Sequence, residues 1–264
     1  MLTLRQLALD LILLSDADEK AVAVQAVGPV ACIGASDVLT EVSGKANRVP
    51  GRPARPVLRP PREMQSRAVG TLAGRATLIH ALAHIESNAI DLALDLLWRF
   101  HGMPDAFYLD WLQVAREEAR HFQLLHEHLK TLGFAYGDFP AHNGLWEMAE
   151  KTKADLLARL ALVPRTLEAR GLDASPAIRN KLQSAGDHRG AEIIDIILRD
   201  EIGHVRIGNH WYRHLCSQQG LDHIASYREL AQKYAAPQLK GPFNLEARRA
   251  AGFDEAELEL LGKP

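Results

Sequence analysis

Residues 80–95 read HALAHIESNAIDLALD. The positions sharing a helix face with Glu86 are Ile79, Leu82, Ala83, Ala89, Ile90 and Ala93, and every one is apolar. That spacing describes a helix whose apolar stripe faces a core. An ionised carboxylate buried alone in such a stripe costs several kcal/mol, so it must be neutralised, paired or metal-bound. Glu86 is therefore the first candidate metal ligand.

Two Glu-x-x-His motifs extend the pattern: Glu118-Ala-Arg-His121 and Glu201-Ile-Gly-His204. Residues three apart lie on one helix face, so a carboxylate and an imidazole can reach one metal from one helix. Both motifs are set among apolar residues. Trp111, Val114, Ala115, Phe122 and Leu125 share the face of Glu118; Ile194, Ile197, Leu198, Val205 and Gly208 share that of Glu201. Glu86 lies 15 residues before His101 and Glu118 lies 13 after Asp105, so a hairpin of two helices brings them to similar heights. The remaining carboxylate is assigned to Glu168, because Glu168 to Glu201 spans 33 residues and Glu86 to Glu118 spans 32. Glu192 is the rival, but Arg189, Asp195 and Arg199 place it on a solvated face. Pro164 cannot bond the carbonyl of Leu160, so a kink is expected one turn before Glu168.

Working outward, the pattern from 68 onward is helical, with strand-like alternation essentially absent. Long helices are expected over 68–101, 105–132 (with Asp105 as a cap), 145–171 and 188–216, with Gly186 as a break before the last. Two further helices are expected over 221–234 and 245–261. The sequence thus predicts an all-α fold: a ferritin-like four-helix bundle over 68–217, a helical and extended N-terminal arm over 1–67, and an additional C-terminal helical appendage over 218–264. Asp16 and Asp18 are N-cap candidates near the start. Residues 45–67 hold five prolines and the basic side chains of Lys45, Arg48, Arg52, Arg55, Arg59, Arg62 and Arg67 against Glu63 alone. Proline disfavours helix there, so this is an extended strap; its charge would also suit an anionic or RNA partner.

The whole chain is close to neutral, with formal net charge −2 over 264 residues, which argues against a general nucleic-acid or membrane surface. Cys32 and Cys216 form no CxxC pair, so a disulfide framework and a thiolate site are not expected; both read as small buried side chains. No secretory signal or spanning segment stands out, and a cytoplasmic location is the default. Four carboxylates and two imidazoles suit two divalent metal ions, iron first, with manganese or zinc also compatible. His84, Asp91, Asp95, Asp195 and Asp200 are candidates for orienting a ligand imidazole through its second nitrogen. Glu147 and Glu150 read as surface, His126 and His128 as a solvated face, and Trp111 and Phe122 as core.

The stretches HALAHIESNAIDLALD, EEARHF (117–122), LEARGLD (167–173) and DIILRDEIGHV (195–205), with the arm RPARPVLRPPRE (52–63), resemble a bacterial ferritin-like family known as domain of unknown function 455. The resemblance covers about 67–216 and the arm. It implies a di-metal carboxylate bundle and the same ligand roles for Glu86, Glu118, His121, Glu168, Glu201 and His204. More distantly the pattern is similar to MiaE-type di-iron tRNA hydroxylases and to quinone-synthesis hydroxylases. The expected function is an oxygen-activating oxidase or monooxygenase acting on an organic substrate, tRNA included, with dioxygen and an electron donor as partners, no membrane, and a homodimer as a compatible assembly. A ferroxidase or iron-storage protein uses the same donors, but the N-terminal region and extra C-terminal helices would obstruct a closed cage. A metal-stabilised scaffold without turnover is the third reading.

Overall fold

The computed structural model describes residues 2–38, 49–64 and 68–261. Lys45, Arg48 and Arg67 of the basic arm lie outside the described residues. Among the described residues the regular structure is helical, with a single isolated bridge between Leu58 and Ala141. None of the helices is long and apolar enough to cross a membrane. The chain divides into two compact units, 1–144 and 145–264.

The first unit is built on α3 (Leu72–Arg99) and α4 (Asp105–Thr131), which pack along one another across a short turn. Thr71 caps α3 by accepting from the Gly74 amide. Pro104, not Asp105, occupies the N-cap of α4; its fixed φ suits a helix start, and Asp105 becomes the first helical residue. Two short helices, α1 (Leu4–Ile12) and α2 (Ala17–Gln25), cover the pair: α1 packs on α3 and α2 on α4. Asp16 caps α2 by accepting from the Glu19 amide at 2.9 Å. Asp18 lies inside the helix and instead meets His126 Nδ1 at 2.8 Å. That contact corrects the solvated face expected for His126 and His128, both of which are buried. The reason is tertiary: α2 lies over the outward face of α4.

The N-terminal helices are locked by buried charge. Arg5 donates to the free carbonyls at the end of α3, Leu97 at 3.2 Å and Trp98 at 2.6 Å, which neighbouring turns cannot satisfy. Lys20 pairs with buried Asp91 at 2.5 Å and also donates to the Gly51 carbonyl. The proline-rich strap follows: the Gly51 amide donates to the Ile12 carbonyl, the Arg59 amide to the Ala141 carbonyl, and the Ala141 amide to the Val57 carbonyl. Arg55, Arg59 and Arg62 remain exposed. Cys32 is exposed and Cys216 buried, so only the second matches its expected place.

The second unit corrects the expected third helix. Instead of one helix over 145–171 there are α5 (Gly144–Lys151), α6 (Leu156–Leu162), a π-helical turn (Val163–Glu168) and α7 (Ala169–Ser184). The expected kink at Pro164 is realised as the π-turn. Pro164 has no amide to continue the α ladder, and the Thr166 hydroxyl donates to the Ala161 carbonyl five residues back. Gly171 does not end the helix, and α7 runs through Pro176. The Leu172 carbonyl, four residues before that proline, accepts from the Asn244 side chain at 3.2 Å. Gly186, at φ +76°, turns the chain into α8 (His188–Gln218), which Asp187 caps. The π-turn, α6 and α7 pack on α8. There follow α9 (His223–Lys233), α10 (Leu245–Ala250) and α11 (Glu255–Glu259); the expected helix over 245–261 is broken at Gly252, φ +88°.

Candidate metal centre

In the first unit Glu86 projects from α3 and Glu118 and His121 from α4, all buried. His121 Nδ1 lies 3.3 Å from Glu118 Oε2 and 3.4 Å from Glu86 Oε2. One donor atom from each of the three residues falls within 4.8 Å of the other two. Burial, then the charge of Glu118, holds the Glu86 carboxyl well above the usual carboxylate range, and His121 opposes this only in part. Burial thus disfavours two ionised carboxylates side by side, and a divalent cation would favour them while using donors of the preferred type.

The second unit repeats the motif geometry. His204 Nδ1 lies 3.6 Å from Glu201 Oε1, as His121 Nδ1 faces Glu118, and both residues are buried. Glu168 stands at the last position of the π-turn, half-buried, with its Oε2 withdrawn from solvent. The close packing of α8 on that turn needs Gly208, since a Cβ there would lie 2.8 Å from Pro164 Cβ. Glu201 and His204 thus offer in the second unit the same donor types that Glu118 and His121 offer in the first.

Each of the orienting candidates has at least one partner within its own unit. His84 Nδ1 is 2.8 Å from the Tyr136 hydroxyl, and its Nε2 is 3.2 Å from the His142 carbonyl and 3.0 Å from Asn88 Nδ2. Burial pushes this imidazole down to about 3, so it is neutral. Asp195 is exposed and pairs with Arg179. Asp200 meets neighbouring Arg199 at 2.8 Å, and Asp95 bonds Arg99 within α3. Glu192 pairs with Arg189 and Glu150 with Lys153 on the surface. Trp111 and Phe122 are core.

A second charged cluster, in the second unit, was not legible from sequence. His223, Asp254 and Glu257 have donors within 4.8 Å of one another, but Arg165 and Arg213 both pair with Glu257, and Arg213 also reaches Asp254. The cluster is a balanced ion network. No local pattern pairs its arginines with Glu257, because Arg165 and Arg213 lie 92 and 44 residues from it.

Fold and site define an all-α protein with a buried carboxylate–imidazole cluster able to hold metal. The family described as "Protein of unknown function (DUF455)" matches residues 14–259, and the chain belongs to it. A Haemophilus influenzae relative, named only as an uncharacterized protein, is 52% identical over 216 residues, which cover 79% of this chain and 75% of the relative. No solved structure matches the chain.

Proposed function

We propose that the chain is a ferritin-like di-metal carboxylate protein in which Glu86, Glu118, His121, Glu168, Glu201 and His204 together hold two divalent ions, iron foremost, and that it oxidises an organic substrate with dioxygen. The observation that carries this reading is the buried convergence of Glu86, Glu118 and His121. Removing one partner from such a group leaves uncompensated charge, whereas a cation satisfies all three donors. The repeat of Glu and Glu-x-x-His in the second unit doubles the donor set. Four carboxylates against two divalent ions give a near-neutral interior.

When bound, two reduced iron ions would supply the electrons for dioxygen and the oxidising capacity for the substrate. The chain's own residues hold each imidazole with Nδ1 toward its carboxylate partner, and Ile90, Ala115 and Phe122, which share the helix faces of Glu86 and Glu118, are themselves buried. An anionic substrate, tRNA among them, would meet the exposed Arg55, Arg59 and Arg62 of the strap. What favours an enzyme over a storage protein is the extra chain at both ends: the N-terminal helices are built into the first unit by Arg5 and Lys20.

The deciding experiment is metal analysis of anaerobically purified protein, followed by oxygen uptake and an optical spectrum on admission of air. The expected result is two iron-type metals per chain and oxygen consumption that leaves no mineral. A large iron-filled cage by native mass spectrometry supports storage instead. Tightly held zinc inert to oxygen supports the scaffold.

A further inference from the structure

Within the second unit, α9, the 234–239 segment and the α10–α11 region line a cavity of about 600 Å³. Sites for small organic ligands occupy roughly 300–1,000 Å³. Its apolar wall includes Tyr227, Leu239, Phe253 and Leu261, and three arginines, Arg165, Arg228 and Arg248, line it against Glu257 as the one acid.

Two of these guanidinium groups are buried and rigidly held. Arg165 donates from Nε to Asn209 Oδ1 at 2.7 Å, pairs through Nη2 with Glu257, and lies over the Tyr212, Tyr227 and Phe253 rings. Arg248 donates from Nε and Nη2 to Asp173 at 3.0 and 2.6 Å and lies over the Phe243 and Phe253 rings. In both, the other terminal nitrogen, Nη1, makes no hydrogen bond among the described residues. Arg228 is exposed on α9 and has no partner among the described residues. Glu257 is already shared with Arg213. The cavity therefore combines surplus fixed N–H donors with an aromatic and aliphatic wall. Guanidinium N–H groups recognise carboxylates, and burying an apolar body against the wall adds about 25 cal/mol per Å².

We propose that this cavity binds an amphipathic carboxylate: an organic acid anion with an alkyl or aryl body of about eight to ten carbons, a size that suits such a volume. None of the six proposed metal ligands lines it, so the site is testable apart from the metal reading. The test is calorimetric titration of the full chain as purified with octanoate, with octan-1-ol (the same body without the charge) and with acetate (the charge without the body). Octanoate is expected to saturate one site per chain, with octan-1-ol and acetate at least about tenfold weaker. Arg228→Gln, a surface change that leaves the fold intact, should weaken octanoate about tenfold. Ala231→Phe, which fills the cavity from α9, should abolish saturable binding while the circular dichroism and melting profile stay close to wild type. The proposal is overturned by octan-1-ol binding as tightly as octanoate, by undiminished affinity in Arg228→Gln, or by no saturable octanoate binding in the wild type.

Discussion

Glu86 reaches its neighbours from a helix of 28 residues that runs without a break, whereas Glu168 stands at the end of a π-turn created around Pro164. The two units carry the same donor types on different frames. In the first, two long helices set the heights of Glu86 and Glu118 by residue counting alone, and the N-terminal helices brace them from outside through Arg5 and Lys20. In the second, the chain between Gly144 and Ser184 is cut into short pieces, and α8 is the single long helix. Its bracing comes from distant segments: Asn244 and Arg248 bond to α7, and Glu257 to Arg165 of the π-turn. A donor pattern can therefore be repeated without repeating the backbone that carries it, provided other contacts fix the irregular element.

The largest effect would come from testing whether the frames are equivalent. His121→Ala and His204→Ala should each leave at most one metal per chain and lower oxygen uptake by about 100-fold, measured by metal analysis and an oxygen electrode. Full metal content in His204→Ala alone would break the equivalence and reduce the second unit to a support.

Next comes an acid sensitivity that belongs to the first unit. His80 is buried and accepts from the Gly137 amide at 2.9 Å, and burial lowers it from 6.5 to about 4. Since the folded value lies below the unfolded one, the stabilisation is full above pH 6.5 and is lost as pH falls through about 4, at most about 3 kcal/mol. His80→Gln keeps an acceptor and removes the titration, so urea midpoints plotted against pH should show a flatter acid limb. An unchanged limb would assign the acid sensitivity elsewhere.

A smaller effect probes the π-turn. Gly208→Ala sets a methyl 2.8 Å from Pro164 Cβ and should cost about 1–3 kcal/mol in denaturant melts. Gly203→Ala on the same helix meets nothing within 4 Å and serves as the neutral or mildly stabilising control. Equal melts for the two would mean that the turn yields readily. The smallest effect concerns the carbonyl left open by Pro176. Asn244→Asp keeps the cap on Ala247 but loses the donor to Leu172, a change of about 1 kcal/mol by thermal melting.

The first cluster was legible because each of its residues breaks a local rule: Glu86, Glu118 and His121 are polar groups in apolar stripes on regular helices, where the period of 3.6 carries straight to burial. Glu201 and His204 were legible for the same reason. Glu168 was reached only by spacing and resemblance, since a π-turn changes the residue count per turn and spoils face arithmetic after Pro164. Gly171 looks like a stop in sequence, yet α7 passes it and runs through Pro176, where Asn244, 72 residues from Leu172, bonds the carbonyl that the proline leaves open. The burial of His126 was hidden for a similar reason: its partner Asp18 is on α2, more than a hundred residues upstream.

By itself the sequence determined the helical class, the two long helices of the first unit, the cap at Asp16, the break at Gly186, and five buried donor positions. These follow from periodicity, propensity and backbone chemistry, which act over a few residues. Only the tertiary structure decided that Pro164 opens a π-turn, that Arg5 and Lys20 bind the N-terminal helices to α3, and that Arg165 and Arg248 are buried beside a cavity rather than solvated. Those outcomes depend on partners tens of residues away, and the free energy of desolvating a charge is set by which partners folding brings to it.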